Sequence, residues 1–462
     1  MPAALPTRPS MWATEIRHFR KRVLDLSQGD FAAQVRDAGA KLGLDLRCDQ
    51  QAISRWERGG LLHPGVDYLA ALTFLGAPLP DAARTDSANP APQASVAGNR
   101  NADQLLAAVA AAVTEGSVTA LMAWIPPSPI GPTAVAGPMD VELVRAMTGK
   151  LRVLDQQRGG FAVADTAVSL LNWTRGLTHM SDTSPTAAAM AVADADLARL
   201  AGWALHDIGD HTRARQYLAL ALVNAIRTGQ RGLAASILYV LGRISLVEHD
   251  PRTALRLFQY GQICAQDAAN SVEAARLLGN QAWAYAMTGD HRQTRDPLAR
   301  AEFELARAHE VEPIEPWTKV FLTGGEFAGL GAVVWHELAI ATAGDDPHTA
   351  EKYAGRALQL AQSSLASTTP DRPARSILFD HATTAACLFR LGEVRAAVES
   401  SASALTLATE ISSARALSRL QTMAVTAKPF RRYADVRELR HQVHQLTVPA
   451  LPRPIAPAWM PV

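Results

Sequence analysis

The sequence predicts an all-α fold, with a small N-terminal domain and a larger domain built from stacked helical pairs. Hydrophobic residues make up 48% of the 462 positions and aromatic residues only 6%, because the chain is rich in alanine and leucine. Alanine is the residue that costs least in a helix interior. A chain of this length exceeds one ordinary hydrophobic core, so we expect two or more domains.

Composition divides the chain into four predicted segments. The stretch 77–101 is rich in Pro, Ala, Ser and Asn and has no periodicity, which is typical of a linker, and five prolines between 124 and 140 oppose regular structure. The predicted segments are a helical N-terminal domain over 11–78, a Pro/Ala-rich linker with a short helix over 79–139, a helical repeat domain over 140–445 and a Pro-rich tail over 446–462.

The large domain contains an internal repeat. Gly202, Gly242 and Ala282 follow one another at steps of 40 residues, and each precedes a short turn and then a second helix with small residues on one side. The turns are predicted at Gly209-Asp210, His249-Asp250 and Gly289-Asp290. Small residues let two helices approach closely, so each copy predicts a helix–turn–helix pair. An irregular helical bundle is the alternative, and the regular spacing favours stacked pairs.

These pairs resemble the tetratricopeptide repeat, in which a small residue of the first helix packs on an Ala–aromatic–Ala pattern in the second. The resemblance implies an α-solenoid with one concave face. The usual repeat has about 34 residues, so a 40-residue step implies longer helices or longer links.

The stretch "CDQQAISRWERGG" (48–60) predicts a short amphipathic helix in the N-terminal domain. Asp49 is a good N-cap residue, and Ile53 and Trp56, three positions apart, point inward. The polar side chains left on the outer side are Gln50, Gln51, Ser54, Arg55 and Arg58. Glutamine can pair with adenine and arginine with guanine in a DNA major groove. The net charge of residues 15–58 is modest for a DNA-binding surface.

"LSQGDFA … AISRWERG" resembles the XRE/Cro-type helix-turn-helix. The resemblance implies that Gln28 begins the second helix and contacts phosphate or a base, and that Gln50, Gln51 and Arg55 occupy recognition-helix positions. It also implies that Ser54 contacts phosphate and that Glu57 pairs with Arg20 or Arg22. The link between the second and third helices is longer here than the family pattern, which leaves open whether the second helix extends or a loop is inserted.

A second resemblance covers "MTGKLRVLDQQRGG" (147–160), which is similar to the LR-x-LD-x-x-x-GG segment of actinobacterial regulators that carry an XRE domain and a tetratricopeptide sensor half. It implies a transcriptional regulator that binds double-stranded DNA as a homodimer and responds to a peptide, small molecule or protein. The competing class is a protein-interaction adaptor that does not bind DNA.

The repeat register predicts a ligand groove on the concave face. Trp203, Tyr239, Arg243 and Trp283 are expected to line it, with Arg199, His206 and Arg276 nearby. Aromatic faces and cations in a concavity suit a peptide or a small amphipathic molecule. The alternative is that Trp203 and Trp283 belong to the core between repeats.

Other chemistry is not predicted. The three cysteines, Cys48, Cys264 and Cys387, are too far apart for a disulfide framework and indicate packing. His441 and His444 share a helix face without a further metal ligand. We therefore expect no enzyme, no cofactor and no metal. The net charge is +1 and no uncharged apolar run reaches membrane-spanning length, so we expect a cytoplasmic protein without membrane contact.

Overall fold

The computed structural model describes residues 11–41, 44–58, 66–75, 77, 94–128, 131, 134–178, 184–308, 315–318, 324–367 and 372–447. Over these ranges the fold is all-α, as predicted, and its only extended elements are two strands of two residues each, paired in parallel. The chain divides into two compact units, 1–99 and 100–462. No described helix combines the length and apolarity that crossing a membrane requires.

The first unit contains four helices in its described part. They are α1 (Met11–His18), which continues into a π-helical turn (Phe19–Val23), α2 (Gln28–Lys41), α3 (Gln50–Glu57) and α4 (Val66–Phe74). Ile16, Phe31, Ile53 and Leu72 come from one helix each and are fully buried in a shared core. The predicted helix stop at Gly59-Gly60 lies outside the described residues.

The second unit begins with elements that precede the repeats. These are α5 (Ala94–Glu115), α6 (Thr119–Met122), β1 (Ala134–Val135), α7 (Pro138–Arg158), a 3₁₀ turn (Gly160–Ala162), α8 (Ala164–Thr174), β2 (Leu177–Thr178) and α9 (Pro185–Asp207). Leu105, Val109 and Val113 of α5 are buried in the core of this unit, since their spacing places them on one helix face. Part of the predicted linker segment 79–139 thus contributes to the second unit's core.

The remaining helices pack in consecutive pairs in a solenoid-like arrangement. They are α10 (His211–Arg227), α11 (Arg231–Val247), α12 (Pro251–Asp267), α13 (Ser271–Met287), α14 (His291–Ala308), α15 (Gly324–Thr342), α16 (Pro347–Leu365), α17 (Ala374–Arg390), α18 (Val394–Ala408), α19 (Ala414–Thr426), a 3₁₀ turn (Lys428–Phe430) and α20 (Ala434–Thr447). The predicted tail lies outside the described residues from 448 onward.

Longer helices, not longer loops, account for the 40-residue step. The four helices α10 to α13 have 17 residues each and are joined by three-residue links. Backbone with positive φ recurs every twentieth position from 209 to 289 and ends each helix. The following helix starts two positions after each of these residues, and the side chains of Asp210, Asp250 and Asn270, which lie in between, cap its first turn.

The small residues of the repeat provide the predicted close approach. A Cβ added at Gly202 would lie 2.5 Å from Leu218 Cγ, and one added at Gly242 would lie 2.2 Å from Phe258 Cε1. Real Cβ atoms do not come this close to a neighbour, so in these two pairs glycine allows the helices to pack at this distance.

Candidate functional site

Helix α3 presents a polar surface over a buried base. Its side chains at Gln50, Gln51, Arg55 and Arg58 are exposed and Ser54 is half-buried, whereas Ile53 and Trp56 lie in the core. The carboxylate of Asp49 accepts a hydrogen bond from the Ala52 amide at 2.7 Å and caps the helix. The inward and outward sides predicted from the sequence are therefore correct, and the surface combines two amides with two guanidinium groups.

A buried ion pair fixes α3 to the first helical segment. Arg20 Nε donates to Glu57 Oε1 at 2.5 Å and Nη2 donates to Oε2 at 3.0 Å, and both side chains are 5% exposed. Gln28 Nε2 donates to the same carboxylate at 2.8 Å. Burial raises the pKa of Glu57, but the hydrogen bonds from Arg20 and Gln28 outweigh it and lower the pKa below its ordinary value. Arg20, one of the two predicted partners, thus pairs with Glu57.

The long link between α2 and α3 folds back on the domain. Leu46 and Cys48 are buried in the core, and a Cβ at Gly39 would lie 2.6 Å from Leu46 Cδ1. Arg36 Nη1 donates to the carbonyl oxygen of Cys48. Helix α2 is thus followed by a packed loop, and the additional residues of the link, which precede α3 in the sequence, contribute contacts to the domain core.

A cavity of about 610 Å³ lies in the second unit. The first helices of successive pairs line it, namely α9, α11, α13, α15 and α17, together with α19. Trp203, Tyr239, Arg243 and Trp283 all line this one cavity, with His206 and Arg276 among the neighbours. Its volume is in the range of small-molecule sites. Trp203 and Trp283 are 4% and 8% exposed and face the cavity.

The cavity wall alternates aromatic rings with guanidinium groups. Arg243 lies 4.2 Å above the ring of Trp283, and the ring of Trp203 stacks on Tyr239 at a centroid distance of 6.1 Å. From α19, Arg415 lies 4.7 Å above Trp203. A further arginine of α19, Arg419, lies 5.5 Å above Trp283. Such stacked cations and rings are stabilised by cation–π attraction.

A junction between the start and the end of the unit lies beside this wall. Asp155 Oδ2 accepts hydrogen bonds from Trp203 Nε1 and Arg375 Nη2, each at 3.1 Å. Asp207 Oδ2 accepts from Arg375 Nη1 at 2.9 Å and from the Gly160 amide at 2.9 Å. These contacts hold α17 against α7 and α9, and so bring residues of α17 and α19 to the cavity.

The segment 147–160 provides much of this junction. A Cβ at Gly159, where φ is +87°, would lie 2.6 Å from the Ser412 carbonyl oxygen, and one at Gly160 would lie 2.5 Å from that of Ala204. Arg152 Nη2 also donates to Asp196 Oδ1 at 2.5 Å. The charged residues and the glycine pair of "LRVLDQQRGG" therefore have a packing role beside the cavity.

The cavity carries an excess of positive groups. Six arginines line it: Arg243, Arg276, Arg372, Arg375, Arg415 and Arg419. Three carboxylates line it: Glu326, Glu337 and Asp380. Burial and the charge of Arg243 lower the pKa of Arg415 to about 9, although Asp207 opposes the change. Burial also lowers the pKa of Arg243, and the charge of Arg419 acts in the same direction.

His206 is a neutral group within this wall. Its side chain is fully buried, and neither ring nitrogen has a hydrogen-bond partner in the described part of the protein. Burial and the neighbouring charges of Arg415 and Arg243 move the pKa of His206 well below its ordinary value. The imidazole adds no positive charge to the cavity at neutral pH.

Sequence reasoning missed the contribution of Phe379, Arg415 and Arg419. They lie about 100 to 200 positions beyond the predicted groove residues and come from α17 and α19, near the end of the unit. Three residues that the sequence assigns to packing, Cys48, Cys264 and Cys387, are buried free thiols. Among the described residues, no group of His, Cys, Asp and Glu is arranged to hold a metal ion.

Comparison with known proteins found no match to the chain among family models, curated proteins or solved structures.

Proposed function

We propose that the chain is a sequence-specific DNA-binding transcriptional regulator whose second unit binds an effector and forms a homodimer. The observation that carries the proposal is the outer side of α3, where Gln50, Gln51, Arg55 and Arg58 stand on a helix held by a buried ion pair. Amide and guanidinium groups are the side chains that read adenine and guanine edges in the major groove.

The frame around α3 supports specific rather than adaptable contacts. The Arg20–Glu57 pair and the Ile53 and Trp56 contacts fix the helix, so its exposed side chains project from a rigid base. Gln28 donates one amide hydrogen to Glu57. Its NH₂ group carries a second hydrogen, which we assign to a backbone phosphate together with the hydroxyl of Ser54.

Dimerisation is proposed through the second unit, because α7 carries apolar side chains on its surface. Met139 is 80% exposed, Leu143 49% and Leu154 37%. At about 100° per residue these three positions fall within roughly 60° of one another on the helix. Two copies of the chain would match the two-fold symmetry that is common in operators of helix-turn-helix proteins.

The test is selection of DNA fragments by the purified full-length chain, followed by sequencing and titration of the enriched fragment. We expect one enriched motif, and an affinity that falls steeply with salt because phosphate contacts release counterions. The double variant Gln51→Ala with Arg55→Ala should no longer enrich the motif. The charge-matched control is Arg395→Ala, which changes a 95% exposed side chain in the second unit.

The adaptor alternative makes the opposite prediction. An adaptor would enrich no motif at any salt concentration, and its α3 variants would change protein partners only. That outcome, obtained with a folded protein, would overturn the proposed DNA-binding function.

A further inference from the structure

The cavity of the second unit contains buried hydrogen-bond donors that the protein leaves unused. Arg243 Nε and Trp283 Nε1 have no hydrogen-bond partner among the described residues, and the two side chains are 7% and 8% exposed. They lie next to each other, with the guanidinium 4.2 Å from the ring centre. Buried polar groups are almost always satisfied, so an unpaired pair of neighbours in a cavity indicates a missing partner.

Arg243 also differs from the other arginines of the cavity in its charge environment. Arg372 and Arg419 pair with Glu326 and Glu337, and Arg375 pairs with Asp155. In the part of the chain that the structure describes, Arg243 forms no ion pair, and its side-chain hydrogen bonds go to neutral groups, the amide oxygen of Asn280 at 3.2 Å and the hydroxyl of Tyr239. A buried cation without an anion is costly, and a bound anion would relieve the cost.

The unused groups define what the anion must be. Arginine and the indole nitrogen are donors only, so their partner must be an acceptor. A carboxylate or sulfonate accepts several hydrogen bonds and carries the negative charge that would form an ion pair with Arg243. One turn further along their helices stand apolar side chains that also line the cavity, Val247 after Arg243 and Met287 after Trp283. Val247 is 40% exposed, which places this apolar region at the cavity mouth.

We propose that this cavity binds a small organic acid, with its anionic group on Arg243 and Trp283 and its apolar body along Val247 and Met287. This deepens the proposed function, because it names the chemical class of the effector. It does not depend on DNA binding, since the donors and the apolar mouth lie within the second unit.

The experiment uses two fluorescent probes that share an aromatic body, anilinonaphthalene sulfonate, which is anionic, and phenylnaphthylamine, which is not. Titration into the full-length chain without DNA should show one saturable site that prefers the anionic probe. Decanoate should displace this probe and decanol should not. Arg243→Met should lower the affinity for the anionic probe about ten- to hundredfold, the range expected for losing a charge-assisted hydrogen bond. The control Arg395→Met should leave the titration unchanged.

A second variant covers the case in which Arg243→Met does not fold. Val247→Asp changes a partly exposed position at the cavity mouth. In a folded protein it should lower the affinity for the anionic probe at least about tenfold, because it adds a negative charge and removes an apolar contact. Equal binding of the two probes, or anionic binding unaffected by these variants, would overturn the proposal. Displacement by short peptides at far lower concentrations than by decanoate would also overturn it, in favour of a peptide ligand.

The two proposals fail separately. If the acid binds and no DNA motif is enriched, the ligand assignment stands and the regulator assignment falls. If a motif is enriched and the acid does not bind, the reverse holds.

Discussion

Asp155 and Arg375 form a buried ion pair at 3.1 Å although 220 positions separate them in the chain. The two side chains are 2% and 4% exposed. Asp155 also accepts from the indole of Trp203, and Arg375 also donates to Asp207. This relationship ties α17 to α7 and α9 beside the cavity that α17 and α19 help to line.

Arg375→Met should destabilise the second unit strongly, because it leaves Asp155 buried without its cation and leaves Asp207 with Arg415 alone, at 3.3 Å. Removing one partner of a buried pair costs about 3–5 kcal/mol. The measurement is urea unfolding followed by circular dichroism, with the midpoint compared to that of the original chain.

The matched control lies at the same junction. Arg158 and Glu410 approach to 3.8 Å across it, but their side chains are 56% and 76% exposed. Arg158→Met should change stability by less than about 1 kcal/mol, as for other surface pairs. Similar losses in Arg375→Met and Arg158→Met would contradict a specific role for the buried pair.

Gly242→Ala should destabilise the helical repeats, since the added Cβ would lie 2.2 Å from Phe258 Cε1. Overpacking of this kind costs about 1–3 kcal/mol. Gly149→Ala in α7 is the control, because a Cβ there meets nothing within 4 Å. Relief of backbone entropy should make that variant about 0.5–1 kcal/mol more stable. Thermal unfolding of both variants measures these changes, and shifts of the melting temperature with the same sign would refute the packing argument.

The sequence was most informative where structure depends on local spacing. Gly202 and Gly242 mark the close helix contacts that their 40-residue step predicted, and Ile53 and Trp56 lie inward as their three-residue spacing required. The groove residues also meet in one cavity, because Trp203, Arg243 and Trp283 occupy the same register of successive repeats and Tyr239 lies one helical turn before Arg243.

Contacts between distant segments could not be predicted in this way. Arg415 and Arg419 reach the cavity from α19, and nothing in their local sequence relates them to Trp203 or Trp283. Likewise, Asp155 lies within the segment 147–160, and nothing in its local sequence relates it to its partner Arg375. Periodicity reports which face of a helix is buried, but not which distant helix covers it.

Asp194 predicts a pH dependence of stability. Burial raises the pKa of this carboxyl group to about 7, although a hydrogen bond from Thr174 and the charge of Arg175 oppose the change. In the unfolded chain the group titrates near its ordinary value of about 4. Between these values the folded state holds a proton that the unfolded state has released, so stability should fall as pH rises from about 4 to about 7.

Asp194→Asn isolates this contribution, because an amide does not titrate. Thermal unfolding between about pH 4 and about pH 8 should show a decline for the original chain that is reduced in the variant, by an amount on the order of a few kcal/mol at the upper end. Identical pH profiles for the two proteins would show that Asp194 is not the responsible group.

Arg55→Ala and Gln51→Ala should each weaken binding to the selected DNA motif, by about 1–3 kcal/mol if the lost contact is a bidentate one. Both side chains are exposed, so the fold should be unaffected. Gln28→Ala should instead weaken binding to the motif and to unrelated DNA more evenly, because a phosphate contact carries no sequence information. Fluorescence anisotropy at a fixed salt concentration measures all three. Unchanged affinity in both α3 variants would remove the recognition role from this helix.

Met139→Asp combined with Leu143→Asp should dissociate the proposed homodimer, because both positions are exposed on one side of α7 and a charge there disfavours burial against a second copy. The original chain should be a dimer by light scattering at micromolar concentration, and the double variant a monomer with an unchanged helical spectrum. Its affinity for a single half-site should be retained, while affinity for a full two-fold site, with half-sites roughly 34–36 Å apart or a multiple of that, should fall. The control Val425→Asp changes a 66% exposed apolar residue of α19, away from α7, and should leave the dimer intact. A variant that stays dimeric would move the interface elsewhere, and an original chain that is monomeric with and without DNA would exclude the homodimer itself.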